Sequence, residues 1–428
     1  MLRTILIVTV ILVGIVASFY GSLNALMFYL WIAYFRPETW VWNNFVSGLN
    51  LSLFVGIYLL ISTFVTSIKL KFTSFAGLLS LAVVHSLIST IMSNYSSVSF
   101  PYWMEFLKIA VISYLITMLI RSEKDLKITL IVISLSLGLE GAKQGWYHLL
   151  LHPGSINTNT HPVFGDNNGV AVGMLMLAPI LLVLYQTMER KIFKYGFLFI
   201  AIGVIYRALS TYSRGGFLAF IAMCFIFWLR SEYKIRIALF VVLILAILLP
   251  TLPQQFWDRM DTITVNEGEV REASSANRIY FWKIAVEMAN DNPLFGVGHN
   301  AYMSAYNTYD HSNGLYGRSR AAHSSWFSLL AEWGFLGLIL YLSVYFYSLF
   351  SCAQARKKIK NYSKSKFLKN CIQGIETSLI TGGVGITFLS LQYLEMLWHF
   401  FALAVAINQI LRVQDATESA TDAVHSKN

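Results

Sequence analysis

The feature that most constrains this chain is a series of apolar runs, each about long enough to cross a bilayer. They fall near 49–66, 73–91, 103–120, 128–148, 168–187, 193–210, 215–230, 237–251, 324–351, 373–390 and 393–411, and the first 35 residues are apolar as well. A membrane-spanning helix needs roughly 20 such residues. Short breaks between the runs leave little room for soluble domains. Composition agrees: 56% of the 428 residues are hydrophobic and only 13% charged, against about 25% charged in soluble domains. The expected fold is all-α, a polytopic bundle of about twelve spans.

The net charge of +10 would suit a nucleic-acid partner if it were clustered, but its placement excludes that reading. Lys and Arg concentrate in alternate breaks, around 69–71, 121–127, 190–194, 230–236 and 356–369. Such a bias puts those breaks on the cytoplasmic side. The breaks near 36–48, 92–102, 149–167 and 211–214 are poor in Lys and Arg and fall outside. Residues 1–35 then cross once, as a long or broken helix with a soft point at Gly21-Ser22, and both termini are cytoplasmic. If 1–35 forms two short helices instead, the N-terminus moves outside. No small-x-small cleavage site follows the first run, so it is retained as a membrane segment. Trp31, Trp40 and Trp42 suit an interfacial belt at its outer end.

This reading divides the chain into an N-terminal transmembrane bundle (1–251), a long outer loop (252–322), C-terminal transmembrane helices (323–411) and a polar, disordered cytoplasmic tail (412–428). The loop contains a helix over 278–289 that stops at Asn290-Asp291-Asn292-Pro293. Its apolar residues Ile279, Trp282, Val286 and Ala289 fit a face lying on the membrane. Cys224 and Cys352 fall in or beside apolar runs and Cys371 in a basic loop, none with metal-ligand spacing.

Several polar residues stand where a membrane makes them costly. Arg214, in Tyr212-Ser213-Arg214-Gly215-Gly216, lies at the outer end of a span, with Arg207 seven residues earlier. A guanidinium there needs a partner, and its fork matches phosphate oxygens. Gly215 and Gly216 would admit a ligand close to the backbone. Arg278 sits in the first turn of the loop helix, capped by Ser275 or Asn277. A cation is disfavoured at that end unless an anion binds, although a loop salt bridge to Glu269 or Glu272 would also satisfy it. His323 stands where the loop re-enters the membrane, near a helix N-terminus that favours neutral imidazole, which suits a general base. Ser324 and Ser325 read as helix caps. Glu332, nine positions on at about 100° per residue, faces away from His323 and reads as a buried structural hydrogen bond. Glu140 and Lys143 pair on one span, and Asp166 caps another. Glu267-Gly268-Glu269 is a weak metal motif, and His148, His152 and His161 lack ligand spacing. No cofactor or metal is expected.

The ordered set Ser213-Arg214-Gly215-Gly216, Asn277-Arg278 with Trp282, Asn292-Pro293-Leu294-Phe295-Gly296-Val297-Gly298, and His323 with Glu332-Trp333-Gly334 resembles the bacterial O-antigen ligases and the wider O-antigen ligase/polymerase superfamily. Phe35-Arg36-Pro37-Glu38-Thr39-Trp40 is similar to the O-glycosylation ligase branch. The resemblance implies a GT-C-like fold in the bacterial inner membrane and a metal-independent, inverting glycosyltransferase. Such an enzyme moves a glycan from undecaprenyl diphosphate to an acceptor at the periplasmic face, the lipid A core in ligases. It implies that Arg214 and Arg278 bind the diphosphate and that His323 activates the acceptor hydroxyl. Arg207, Arg318 and Arg320 are further candidate substrate contacts by their charge and place in the chain, not by a family position. The nearest rival, an O-antigen polymerase, differs in its acceptor. A transporter would place charges along a central path and show internal repeats, and only Glu140, Lys143 and Lys108 are candidates for such a path.

Overall fold

The computed structural model describes residues 2–40, 50–66, 72–230, 234–236, 238–239, 242, 275–359 and 365–425. Most of the expected span at 237–251, the first third of the outer loop with Glu267, Glu269 and Glu272, and Trp42, Lys69 and Lys71 lie outside the described residues.

The described chain is helical throughout. Its helices are α1 (Leu2–Ser18), α2 (Ser22–Phe35), α3 (Leu51–Val65), α4 (Ser74–Met92), α5 (Ser96–Leu119), α6 (Glu123–Leu151), α7 (Asn167–Thr187), α8 (Lys191–Leu209) and α9 (Arg214–Arg230), followed by α10 (Ser275–Asp291), α11 (Tyr302–Tyr309), α12 (Ser325–Ile359), α13 (Lys366–Ile386) and α14 (Glu395–His425). Among the described residues, six helices are long and apolar enough to cross a membrane: α4, α5, α7, α8, α12 and the first 20 residues of α14. The chain is thus a polytopic helical membrane protein, with helices at the positions the apolar runs predict. Caps set several helix starts. Ser122 and Asp125 form a reciprocal capping box at α6, and Asp166 Oδ1 accepts from Gly169 N–H at 2.8 Å at α7.

The core of the bundle is α7, packed against α6, α8, α9 and α13, with α14 similarly enclosed by α5, α12 and α13. Glycine permits the tightest crossing. A Cβ on Gly145 of α6 would lie 1.8 Å from the Gly203 carbonyl oxygen of α8, so the two backbones touch where small residues let membrane helices approach. At the basic end of the bundle, buried Glu376 of α13 accepts two hydrogen bonds from Arg356 of α12, both 2.9 Å, and two from Arg230 of α9, 3.1 and 3.2 Å. This carboxylate joins three helices.

Three expectations are corrected here. Residues 1–35 form two helices rather than one long one. The chain breaks at Gly21, whose φ of 142° suits glycine, and α1 folds back on α2. Gly14 packs on the Phe28 ring, with a Cβ reaching within 2.2 Å, and these two positions are equally far from the break. Apolarity alone predicts burial, whereas the turn sets how the two helices pack on each other. Second, Cys371 is not in a loop but buried within α13. Third, α14 continues to His425, so 412–425 extends a helix; the helix-favouring Ala, Glu and Gln there outweigh the polarity of the stretch.

The outer loop meets the bundle through a break in α12. At Gly334 (φ 69°, ψ −172°) the helix changes direction, which frees backbone groups that a continuous helix would pair. The Asn292–Gly298 segment satisfies them. Val297 N–H donates to Ala331 O at 2.8 Å and Gly298 N–H to Glu332 O at 3.1 Å, while Phe335 N–H donates to Pro293 O at 2.8 Å. Both glycines are sterically required. A Cβ on Gly296 would come within 2.4 Å of Ala331 O, and one on Gly334 within 2.5 Å of Pro293 O. Helix α4 braces the joint: Ser89 Oγ donates to Glu332 O at 2.9 Å, and His85 Nε2 donates to Leu294 O at 2.9 Å.

Candidate functional site

Arg214 is the first residue of α9. The turn before it is fixed by Tyr212 in the left-handed region (φ 50°) and by Ser213, whose Oγ accepts from Gly216 N–H at 3.2 Å. The two glycines do not open the backbone to a ligand, as the sequence led us to expect. A Cβ on Gly216 would press to 2.7 Å against Ala171 of α7, and one on Gly215 would sit 3.2 Å from Phe388. Their small size seats α9 in the bundle.

Arg278 lies one turn into α10, which begins at Ser275, so Asn277 is inside the helix and not its cap. The face of α10 that packs is Phe281, Ile284, Ala285 and Met288, all nearly inaccessible, while Ile279 and Val286 are exposed. The helix therefore rests on α11 and α12 through a face rotated from the expected one. Tyr302 OH donates to Phe281 O at 2.8 Å, fastening α11 beneath it.

His323 also adopts the left-handed conformation, with φ 50°. For a non-glycine residue this conformation is uncommon and costs of order 1 kcal/mol or more unless the surroundings impose it. The imposing contacts are visible. Trp282 Nε1 donates to Ala322 O at 3.0 Å, its indole stacks on Phe327 at 4.8 Å, and Phe281 lies beside the imidazole at 6.4 Å between ring centroids. After His323, Ser325 Oγ donates to Leu389 O at 2.7 Å and accepts from Leu391 N–H at 2.8 Å. Ser325 therefore ties the start of α12 to the α13–α14 connection. Ser324 stands at the cap position, its carbonyl accepting from Ser328 N–H, but its buried Oγ makes no capping bond.

The fold brings Arg214, Arg278 and His323 into one electrostatic neighbourhood. Burial, with the Arg214 charge beside it, holds the Arg278 guanidinium below its ordinary pKa. Burial, followed by the Arg278 charge, lowers the His323 imidazole below its usual value of 6.5, while Asp166 opposes the shift and Arg320 adds to it. Two guanidinium groups repelling one another beside a neutral imidazole make a site that an anion stabilises. Asp166 is the neighbour that sequence reasoning missed: it was read as a cap, which it is, but it also faces His323 from 157 positions away.

The other candidates have surroundings of their own, although Arg320 also bears on His323. Arg207 is buried between α6 and α8, its Nη1 donating to Glu140 O at 3.5 Å. Arg318 is exposed on the loop surface. Arg320 contacts the Tyr316 carbonyl through Nε. Glu332 is buried and accepts from Tyr393 OH at 2.7 Å and Gln392 Nε2 at 3.1 Å, a structural role turned away from His323. Lys143 and Glu140 pair at 3.7 Å. His148 and His152 contact Ser155 and Tyr147. Among the described residues, no three His, Cys, Asp or Glu side chains group as metal ligands.

These features define a class: a helical membrane protein with a cationic, histidine-bearing site where a long loop meets the bundle. Residues 197–342 match the family model described as O-antigen ligase, a likeness that supports the O-antigen ligase/polymerase superfamily. The match runs from α8 past the break in α12 and contains Arg214, Arg278 and His323. No curated protein matches the chain. The family implies a glycosyltransferase-like enzyme that uses a lipid-linked glycan donor.

Proposed function

We propose that this protein is an inverting, metal-independent O-antigen ligase of the bacterial inner membrane. In this reading it transfers a glycan from undecaprenyl diphosphate to an acceptor hydroxyl of the lipid A core at the periplasmic face. The observation that carries the proposal is the convergence of two mutually repelling arginines with a neutral histidine.

Arg214 and Arg278 bind the donor diphosphate. Their charges oppose the negative charge that grows on it as the bond between the anomeric carbon and the phosphate oxygen breaks. Burial strengthens that interaction relative to water. His323 takes the proton from the acceptor hydroxyl as its oxygen forms the new bond to the anomeric carbon. The undecaprenyl diphosphate leaves with the electron pair of the broken bond. Attack opposite the leaving group inverts the anomeric centre. The depressed pKa of His323 keeps it unprotonated near neutral pH, as a base requires.

The test is transfer by the purified protein in liposomes with EDTA, offering donor glycan with either lipid A core or a second lipid-linked glycan. Product on lipid A core with inverted linkage supports the ligase. Longer lipid-linked glycan alone makes it a polymerase. No product with either acceptor overturns the proposal.

A further inference from the structure

A pocket of about 820 Å³ opens at the basic end of the bundle, between the end of α3, the start of α4, the end of α5, and the flanks of α12 and α14. It is remote from the candidate site. Ser74, the first residue of α4, lines the pocket. Ser93, which caps the other end of α4, donates to the Val297 carbonyl where the loop joins the bundle. The 19 residues of α4 separate the two places by about 28 Å.

The pocket's charge is one-sided. Arg121 and Arg412, both exposed, line it, and no Asp or Glu among the described residues does. Arg121 Nε donates to Met118 O at 2.8 Å, and Arg412 Nη2 donates to Gln354 Oε1 at 3.4 Å. Neither guanidinium meets a carboxylate among the described residues. The nearby acids are engaged elsewhere. Asp125 closes the capping box of α6 and also accepts from the Arg121 backbone N–H, and Glu123 accepts from Ser365 Oγ and Gln414 Nε2. Helix dipoles add little, because α4 begins at the pocket while α3 and α5 end there. Two cations are therefore left for an anion.

An apolar groove of about 480 Å³ continues from the pocket. Phe72 lines both, and Thr63, Ala76 and Tyr114 of the groove stand about one helical turn from Thr66, Thr73 and Thr117 of the pocket. No charged residue among the described ones lines the groove. Along α5 it runs from Leu115 to Leu107, about 12 Å, against roughly 15 Å for the hydrocarbon of one leaflet. It exists because two helix pairs part: α3 packs on α2 and α4 packs on α5, whereas α3 barely touches α4 or α5. Phe64 and Phe72 on its rim are 67% and 81% exposed, so it opens sideways. Walls that face an empty gap lose their dispersion contacts, and in a bilayer the apolar material at hand is an acyl chain.

We propose that pocket and groove together hold one anionic phospholipid, its phosphate between Arg121 and Arg412 and one acyl chain between α3 and the α4–α5 pair. A zwitterionic headgroup would bring its own cation to a wall that has no carboxylate for it, so the pocket prefers phosphatidylglycerol to phosphatidylcholine. Free phosphate would leave the groove unfilled. The site stands independently of the function proposed above.

The test titrates the full chain in detergent with phosphatidylglycerol or phosphatidylcholine and follows bound lipid by native mass spectrometry. Wild type should retain one phosphatidylglycerol in preference to phosphatidylcholine. Arg121→Gln combined with Arg412→Gln should weaken phosphatidylglycerol binding roughly tenfold or more and leave phosphatidylcholine binding, which reports an intact fold, unchanged. Ser80→Trp, which fills the groove from an exposed position, should weaken both lipids. Lys124→Gln combined with Lys357→Gln removes two exposed charges outside the pocket and should leave phosphatidylglycerol binding at the wild-type level. Equal wild-type affinity for the two lipids, or phosphatidylglycerol binding that the arginine pair does not affect, overturns the inference. So does an equal loss in the lysine pair, which would mark general surface attraction. Displacement of phosphatidylglycerol by millimolar inorganic phosphate would mark an ion site and overturn it as well.

Discussion

The indole N–H of Trp282 donates to the carbonyl of Ala322 at 3.0 Å, one residue before His323. Trp282 therefore fixes the peptide that sets the imidazole, and does so from the same helix that carries Arg278. One rigid element positions both a proposed diphosphate ligand and the proposed base.

Trp282→Phe keeps an aromatic ring for stacking on Phe327 but deletes the donor. The Ala322 carbonyl is then unpaired, which costs about 1 kcal/mol of stability. Because His323 loses its tether, kcat should fall roughly tenfold with little change in donor KM, the signature of misplaced geometry. Steady-state kinetics alongside thermal melting would separate the two effects.

The direction of the His323 shift fixes a pH dependence. The imidazole acts unprotonated, and its pKa lies below 6.5, so transfer should hold through neutral pH and fall only as pH drops below that value. Asp166 favours the charged form. Asp166→Asn keeps a competent cap for α7 but removes that influence, so the acid limb should move to lower pH. A limb that stays in place in rate–pH profiles of the variant would show that Asp166 does not act on the base.

Gly334→Ala tests the joint between loop and bundle. A Cβ there meets Pro293 O at 2.5 Å and must also accept φ 69°. A loss of roughly 1–3 kcal/mol follows from the backbone conformation alone. The melting temperature should drop, and protease should enter the outer loop more readily, since the Asn292–Gly298 segment loses its seat. Gly296→Ala should act in the same direction.

Glu376→Gln leaves Arg230 and Arg356 facing a neutral amide. Breaking a buried pair costs about 3–5 kcal/mol, and the partial exposure of both arginines reduces this to roughly 2 kcal/mol. Melting in detergent should show the loss, with the acceptor and donor KM of the remaining folded protein unchanged.

The spans were legible because hydrocarbon demands a long apolar run wherever the chain crosses it, and no tertiary context alters that demand. Arg214 and Arg278 stood out for a similar reason: each is misplaced against the membrane or a helix dipole, a conflict visible locally, while His323 stood out by its place before a helix N-terminus. Contacts between distant segments were not legible. Gly215 and Gly216 read as open backbone because nothing in the sequence shows Ala171 and Phe388 packed on them. Nothing local in the Asn292–Gly298 run shows that its amides complete a broken helix some 35 positions later. The α1–α2 hairpin and the influence of Asp166 on His323 depend likewise on three-dimensional neighbours.

The central claim is that the arginines hold the donor while His323 performs the proton transfer. Its most direct test compares His323→Ala and Arg278→Ala with wild type in one reconstituted assay, measuring donor affinity and transfer rate separately. The account predicts that His323→Ala binds donor as wild type does but transfers roughly 10²–10⁴-fold more slowly, the usual worth of a general base. Arg278→Ala should lose donor affinity as well as rate. Transfer by His323→Ala at the wild-type rate, or unchanged donor affinity and rate in Arg278→Ala, would contradict it.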